Sequence, residues 1–158
     1  MVVISRPSPY GAGHQVPDTI IVHSMAYQLD LDGERLYAAT FLEQIKLSAH
    51  ALVTPDAQII RCREDNQGAY HAKGFNTNSL GVEVLVPGVY DYASWKKRID
   101  EPGWCSPDQF EATIKLVRRW VADYGITKIY RHSDVDPSRK YDPGKGFDWD
   151  LFLKRVKA

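Results

Sequence analysis

Two histidines and one aspartate stand where the sequence predicts strand ends and a turn. His23 lies near the end of the β-branched run DTIIVHS (residues 18–24), and His132 directly follows the apolar run ITKIY. Asp142 comes ten residues after His132, within the turn-forming tripeptide Asp-Pro-Gly. Two imidazoles and one carboxylate are a donor set typical of catalytic zinc, because three protein ligands leave the fourth tetrahedral position to water or substrate. The three residues therefore form a candidate metal centre suited to hydrolysis.

Each of these residues also has a purely structural interpretation. A single histidine in an apolar strand is more often a hydrogen-bonded core residue than a ligand. Many Asp-Pro-Gly tripeptides are simply turns. A metal-free α/β domain with structural histidines is therefore an alternative, and it predicts that no zinc binds.

A carboxylate inside an apolar strand is the second chemical signal. Glu83 interrupts the run LGVEVLV, where burial of a carboxylate is costly unless the group is paired or used. If Glu83 points towards the metal, it is a candidate general base with a raised pKa; if it points to the other side of the strand, it is merely exposed. Lys140 precedes Asp142 by two residues, so in an extended loop both side chains project to the same side. There the ammonium group would stabilise an oxyanion, although an exposed lysine is usually just solvated.

Of the other three histidines, His50 and His71 compete for the same roles. His50 lies at the start of a predicted hairpin, and we expect it to support a ligand or to belong to the core. His71 lies in the polar loop AYHAKGFNTNS, where a side chain can meet a substrate. His14 lies in a Gly-rich segment near the N-terminus and is expected to be exposed.

The elements that must position these side chains predict one mixed α/β domain. Short apolar runs predict strands at residues 18–24 and in LGVEVLV, and the runs HALVT and QIIRC, separated by PDA, predict a hairpin. Mixed three- and four-residue spacings of apolar residues predict a helix in GERLYAATFLEQIK. Residues 1–16 and about 87–105 are rich in Pro, Gly and aromatic residues and are expected to be loops. We expect a central sheet with helices packed on it and loops gathered at one edge.

The segment SPDQFEATIKLVRRWVADYG has the clearest helix signals of the chain. Ser106 can cap the helix, Pro107 suits its first turn, and Gly125 ends it. The expected apolar stripe, which should face the sheet, consists of Phe110, Ile114, Val117, Val121 and Tyr124.

Composition places the chain among folded proteins with a single core. A length of 158 residues suffices for one domain, residues 1–158, and 44% hydrophobic against 25% charged residues excludes a disordered chain. The 20 basic and 20 acidic side chains cancel, so we expect no nucleic-acid partner. A neutral or mixed-charge substrate fits better.

Targeting signals and cysteines limit the cellular context. No apolar run approaches membrane-spanning length, and the N-terminus lacks the pattern of a secretory signal. We therefore expect no membrane insertion and a protein that is cytoplasmic as synthesised. We also expect a monomer. Two cysteines, Cys62 and Cys105, exclude a disulfide framework but leave a single bridge open.

Five segments, taken together, resemble the zinc-dependent N-acetylmuramoyl-L-alanine amidases of the amidase-2 type. This superfamily includes phage lysins, a cytoplasmic amidase of cell-wall recycling, and peptidoglycan recognition proteins. The segments run in order over a core of about residues 18–150: IIVHS, SAHALVTPDAQIIRC, AYHAKGFNTNSLGVEVLV, SPDQFEATIKLVRRWV and RHSDVDPSRKYDPGKGFDW. The resemblance implies a central mixed β-sheet flanked by helices and one Zn²⁺ per chain. It also implies cleavage of the amide between the lactyl group of N-acetylmuramic acid and L-alanine in peptidoglycan or muropeptides.

The resemblance also implies roles for individual residues. By motif, the three zinc ligands are His23, His132 and Asp142. Glu83 and Lys140 match the carboxylate and the lysine that act in catalysis in recycling-type members. In the loop HAKGFNTNS, which resembles that of phage lysins, His71 and Asn78 are the expected substrate contacts.

One position departs from the pattern of many lysins and recognition proteins. These carry a catalytic tyrosine immediately before the histidine that corresponds to His50, and here that position is Ala49. The departure, together with Glu83, suits a recycling-like arrangement in which the glutamate transfers the proton. The loop HAKGFNTNSLGV nevertheless favours a phage-type endolysin that reaches the cell wall through a holin. The alternatives are a cytoplasmic muropeptide-recycling amidase and a non-catalytic peptidoglycan-binding module.

Overall fold

The computed structural model describes all 158 residues as one mixed α/β domain with a seven-stranded sheet. The seven strands are β1 Val3–Ser5, β2 Thr19–Leu31, β3 Glu34–Tyr37, β4 Ala51–Val53, β5 Ile59–Arg61, β6 Ser79–Tyr90 and β7 Lys128–Arg131. The five helices are α1 Ala38–Gln44, α2 Tyr92–Ile99, α3 Pro107–Tyr124, α4 His132–Val135 and α5 Trp149–Lys157. The predicted fold class, a central mixed sheet flanked by helices, is confirmed.

The sheet is built around two long parallel strands, β2 and β6. The strand order is β1-β5-β4-β6-β2-β3, and β7 also pairs with β2. Since β6 occupies one edge of β2, strands β7 and β3 share the other edge: β7 pairs with residues 19–22 and β3 with residues 28–31. Residues 23–27 of that edge are left without a strand partner, and this gap in the sheet opens beside His23.

Alternate residues of β2 and β6 supply the main hydrophobic core. Side chains on successive residues of a strand point to opposite faces, so even-numbered residues of these strands share one face. On that face the strands pack with α3 and α5 in a cluster of 21 buried residues. Its members from these four elements are Ile20, Val22, Leu80, Val82, Val84, Val86, Ala112, Ile114, Leu116, Val117, Trp120, Phe152 and Val156.

Helix α3 has the predicted ends but a different buried face. The Ser106 hydroxyl accepts a hydrogen bond from the Gln109 amide, and Gly125 ends the helix with a φ of 63°. The buried residues are Gln109, Ala112, Thr113, Ile114, Leu116, Val117 and Trp120. Of the predicted stripe, only Ile114 and Val117 are among them, and Tyr124 is exposed. The buried face is thus rotated relative to the predicted stripe and includes Trp120, whereas Phe110 and Val121 are only partly buried against the cluster.

The predicted helix in GERLYAATFLEQIK is wrong in its first half. Residues 34–37 form β3, which pairs with β2 in an antiparallel hairpin, and helix α1 begins only at Ala38. The turn contains Asp32 and Gly33, whose φ angles are both positive, at 52° and 86°. Asp-Gly is the preferred pair for a two-residue hairpin turn of this kind, so the local turn chemistry overrides the weak helical spacing.

Two further boundaries differ from the sequence prediction. Strand β2 continues to Leu31, because the hairpin with β3 and pairing with β6 extend it beyond the apolar run. Residues 87–105 are not all loop: β6 continues to Tyr90, and α2 follows with Asp91 as its N-cap. Within residues 1–16, Val3–Ser5 form β1.

The remaining sequence expectations concern cysteines and membranes. Cys62 and Cys105 are both free thiols. None of the helices combines the length and the apolar character that crossing a membrane would require.

Candidate metal centre and catalytic cleft

The three predicted metal ligands converge at the gap beside β2. His23 lies in β2, His132 is the first residue of α4 directly after β7, and Asp142 lies in the loop that follows α4. His23 Nδ1 lies 2.9 Å from His132 Nδ1 and 3.2 Å from Asp142 Oδ2, and His132 Nδ1 lies 3.1 Å from the same oxygen. All three side chains are buried. His23 and His132 are 109 residues apart in the sequence. The parallel pairing of β7 with β2 brings them together.

The donor set fits a small divalent cation. Zinc binds imidazole nitrogen and carboxylate oxygen at about 2.0–2.2 Å in tetrahedral geometry, which requires ligand atoms that face one centre from close range. The three ligand atoms form a triangle with sides of 2.9–3.2 Å, and their lone pairs would repel one another without a cation or a proton between them. Burial alone raises the pKa of Asp142, but the imidazoles of His132 and His23, which lie within hydrogen-bonding distance of the carboxylate, outweigh this effect and hold the pKa below its usual range. The aspartate is therefore a carboxylate, ready to ligate.

Glu83 lies directly beside this triangle, since it pairs with His23 across the parallel β2–β6 register. Its Oε1 atom lies 3.8 Å from His23 Nδ1, and its Oε2 atom is buried without a hydrogen-bond partner. Burial raises the pKa of Glu83 well above its ordinary value, the Asp142 charge raises it further, and Lys140 opposes the shift. Of the two orientations left open by the sequence, the side chain takes the inward one. A buried, unpartnered carboxyl with a raised pKa is suited to accepting and returning a proton.

A cleft of about 320 Å³ opens beside the triangle, and Lys140 lines it. Lys140 is half-buried and is the only lysine or arginine among the lining residues. The rest of the lining is largely apolar and comes mainly from β2, α1, the end of β6 and α2; it includes Phe41, Leu42, Tyr90, Tyr92 and Trp95. Sequence reasoning missed Tyr90, Tyr92 and Trp95 as cleft residues, although the aromatic content of residues 87–105 was the available signal.

His71 is brought to the centre but contacts a ligand. Its Nδ1 atom lies 2.8 Å from His23 Nε2, and its Nε2 atom lies 2.9 Å from the Ser79 hydroxyl. Burial is the main cause that lowers the pKa of His71 well below its ordinary value, and the neighbouring His23 adds to it. The side chain also lines the cleft. Both ring nitrogens, however, are already used within the protein.

Asn78 and His50 lie elsewhere. Asn78 donates a hydrogen bond to Asp18 and is absent from the lining of the cleft, so the structure does not bring it to the candidate substrate site. His50 is fully buried, accepts a hydrogen bond from the Gly81 amide and donates one to the Gln67 carbonyl. Burial lowers the pKa of His50 to about 4. His50 therefore belongs to the structure under the centre, as one of its two sequence interpretations proposed.

Comparison with known proteins relates the whole arrangement to one family. Residues 13–145 match the family described as N-acetylmuramoyl-L-alanine amidase (Amidase_2). The 1,6-anhydro-N-acetylmuramyl-L-alanine amidase AmpD of Haemophilus influenzae is 27% identical over 125 residues, which cover 72% of this chain and 61% of that protein. The chain therefore spans about three fifths of the length of this curated relative.

Two solved structures share the fold. The N-acetylmuramoyl-L-alanine amidase LysC from Clostridium intestinale gives a TM-score of 0.74 at 18% identity, over 99% of this chain and 97% of that one. AmiD from E. coli, in complex with anhydro-N-acetylmuramic acid-L-Ala-D-gamma-Glu-L-Lys, gives a TM-score of 0.65 at 21% identity, over 91% and 59% of the two chains. At these identities the likeness establishes the fold alone.

Proposed function

We propose, from the premise that this chain belongs to the N-acetylmuramoyl-L-alanine amidase family of the amidase-2 type, that it hydrolyses the amide bond between N-acetylmuramic acid and L-alanine. The observation that carries the proposal is the convergence of His23, His132 and Asp142 in a buried triangle with the unpartnered carboxyl of Glu83 beside it. In this proposal the three residues hold one zinc ion. Zinc in such a site polarises a carbonyl and makes water nucleophilic at neutral pH.

Glu83 performs the proton transfers in this proposal. Its carboxylate accepts a proton from the attacking water as the new bond from oxygen to the carbonyl carbon forms. The same proton then goes to the nitrogen of L-alanine as the carbon–nitrogen bond breaks, so the amine leaves neutral and the lactyl group ends as a carboxylic acid. The raised pKa of Glu83 suits both steps, since a weakly acidic group is a better base and still returns the proton.

Lys140 stabilises the negative charge that develops on the carbonyl oxygen. It is the only lysine or arginine that lines the cleft, together with Glu83 and Asp142, and in this proposal its ammonium group faces the reacting carbonyl. A fixed charge aimed at a developing oxyanion in a partly dry site lowers the barrier without reorganisation. The apolar lining of the cleft helps to exclude water.

We further propose soluble muropeptides, as in cell-wall recycling, as the substrate rather than intact peptidoglycan. The curated relative carries the name of an anhydro-muropeptide amidase, which supports the recycling alternative over the phage-type endolysin expected from the loop sequence. Ala49, in place of the tyrosine of many lysins, points the same way.

Two substrates distinguish the versions of this proposal. The zinc-loaded chain is incubated with soluble anhydro-muropeptide or with purified cell walls, and release of the stem peptide is followed by mass spectrometry. We expect faster release from the soluble substrate. Preferred release from walls would favour the endolysin instead, and binding of either substrate without any release would favour a non-catalytic module.

Metal retention tests the ligand set separately. Asp142→Ala should lower the zinc content after dialysis, because a two-ligand site holds zinc weakly. Asp123→Ala, which removes an exposed carboxylate of α3, is the matched control and should retain wild-type zinc. Full zinc content in the Asp142 variant would show that the third ligand lies elsewhere.

A further inference from the structure

A chain of hydrogen bonds with a fixed direction ends on the metal ligand His23. The Phe75 carbonyl can only accept, so the Ser79 hydroxyl, 2.6 Å away, donates its single proton there. Towards His71 Nε2, at 2.9 Å, the same hydroxyl must therefore accept, which places the proton of His71 on Nε2. His71 Nδ1 then presents a lone pair to His23 Nε2 at 2.8 Å. His23 carries its own proton on Nε2 as a result, and its Nδ1 lone pair faces the triangle.

We propose that His71 is a positioning residue that holds His23 in the tautomer able to bind the metal. This inference rests on the proposed function only in taking His23 as a zinc ligand. The competitor is Asp142, whose Oδ2 atom lies 3.2 Å from His23 Nδ1. Without an acceptor at Nε2, a proton on His23 Nδ1 would form a charge-assisted hydrogen bond with that carboxylate and block the ligand atom. His71 removes this competition by giving the Nε2 proton a partner of its own.

The strand behind His71 is shaped to admit its ring. Gly81 lies in β6 under the imidazole, and a Cβ atom at this position would lie 2.5 Å from His71 Nδ1 and 2.7 Å from two ring carbons. No side chain other than hydrogen therefore fits. The Gly81 amide donates a hydrogen bond to His50 Nδ1 at 3.0 Å. The backbone segment against which the His71 ring packs is therefore fixed by His50.

The backbone of the His71 loop is fixed as well. Asn76 Oδ1 accepts hydrogen bonds from the amides of His71 and Ala72, each at 3.0 Å. Ser79, the first residue of β6 and the C-terminal end of the same loop, is fully buried, and its hydroxyl contacts the His71 ring. Contacts to the ring and to the loop backbone thus both fix the position of His71. A side chain that only contacted substrate would not need this degree of fixation.

The test uses zinc affinity and the protonation of His23 rather than turnover. The dissociation constant for Zn²⁺ is measured by competition with a chelator for the wild type, His71→Ala and His71→Gln. Loss of a partner behind a ligating histidine typically costs about 10–100-fold in metal affinity, and we expect a loss in this range for His71→Ala. His71→Gln should recover much of it, because the glutamine carbonyl can accept from His23 and its amide can donate to Ser79. His14→Ala, at an exposed histidine, is the control and should bind as the wild type does.

Nitrogen-15 NMR of the metal-free chain supplies the readout that a merely structural role would not change. Above the ordinary imidazole pKa of about 6.5, the ring shifts show which nitrogen carries the proton. We expect the proton of His23 on Nε2 in the wild type and on Nδ1, facing Asp142, in His71→Ala. Ser79→Ala leaves the His71 ring in place but no longer fixes which of its nitrogens carries the proton. In this variant we expect a smaller fraction of His23 to carry its proton on Nδ1 than in His71→Ala.

The outcomes separate this inference from the proposed function. An unchanged His23 tautomer in both His71→Ala and Ser79→Ala overturns the positioning role, even if zinc affinity falls. Unchanged zinc affinity in His71→Ala overturns it too. A wild-type chain that binds no zinc contradicts the proposed function, whereas the tautomer measurement on the metal-free chain still decides whether His71 orients His23.

Discussion

The two faces of strands β2 and β6 share one backbone but have different roles: one forms hydrophobic core and the other carries the candidate site. Even-numbered residues, such as Ile20 and Val84, join the hydrocarbon core under α3 and α5. Odd-numbered residues supply His23, one ligand of the candidate metal centre, and Glu83, the carboxyl beside it. Both faces are buried, so the distinction is not one of inside against outside. It is a distinction between surfaces that need only be filled and groups that need particular partners.

The difference has an energetic basis. On the core face each side chain contributes through the apolar area it removes from water, and neighbours of similar volume can replace one another. On the site face each polar group costs free energy unless a specific partner meets it, and the Oε2 atom of Glu83 has none. The buried Glu83 carboxyl on the site face therefore costs free energy, which apolar burial on the core face offsets. Substitutions on the two faces should separate stability from activity.

The largest effect should come from removing the carboxylate of the site face. Glu83→Gln keeps the shape of the side chain but cannot accept the proton, and we expect turnover to fall roughly a hundred- to ten-thousand-fold. The free energy of unfolding of the metal-free chain should not fall, since a neutral amide avoids the cost of a buried carboxylate. Stem-peptide release and urea unfolding measure the two quantities. Glu34→Gln, on an exposed strand, is the control, and near-wild-type turnover in the Glu83 variant would remove the residue from the mechanism.

A substitution on the core face should lower the free energy of unfolding and leave turnover unchanged. Ile20→Ala removes a fully buried side chain from the main cluster and should lower the free energy of unfolding by about 2–5 kcal/mol. Turnover per folded molecule, measured well below the unfolding temperature, should stay at the wild-type value, because Ile20 points away from the cleft. A large loss of turnover with unchanged stability would show that the two faces are coupled, against the division proposed.

Much of this division could be predicted from the sequence, because its signals are local. His23 and Glu83 stood out as polar types in apolar strands, and both lie where such residues are costly. The ends of α3 followed from Ser106 and Gly125, whose capping chemistry depends on their nearest neighbours alone. The family resemblance then related the ligands to one another, and the structure brings them together.

What could not be predicted depends on contacts between distant segments. The His23–Glu83 pairing follows from the parallel register of β2 and β6, which no local pattern contains. The link from His71 to His23 likewise requires the loop after β5 to fold over Gly81, so sequence reasoning could give His71 only a role at the surface of the site. The hairpin at Asp32 is different: its Asp-Gly signal was present, and the weaker helical spacing after it was given too much weight.

Acid should lower the stability of the fold through His50, which lies outside β2 and β6 but accepts a hydrogen bond from the Gly81 amide of β6. The pKa of His50 is lowered to about 4 by burial, so the unfolded chain takes up a proton at higher pH than the folded one does. The contribution to stability is therefore complete above the ordinary pKa of about 6.5 and is lost as the pH falls towards 4; at 1.36 kcal/mol per unit it amounts to about 3 kcal/mol. Urea unfolding at several pH values measures it. His50→Gln should flatten this part of the profile, Ile20→Ala should leave its slope unchanged, and an equal slope in His50→Gln would refute the assignment.

The smallest effect we predict lies at the start of α3, on the far side of the core face from the metal. Ser106 accepts the amide hydrogen of Gln109 at 3.1 Å, and removing such a cap costs about 1 kcal/mol. Ser106→Ala should therefore lower the free energy of unfolding by that amount, whereas Ser106→Asp, which keeps an acceptor, should not. Both variants should keep wild-type zinc affinity and turnover, since α3 reaches the metal centre only through the sheet. A change of zinc affinity in the alanine variant alone would mean that the core face transmits strain to His23, and the two faces would have to be treated as one unit.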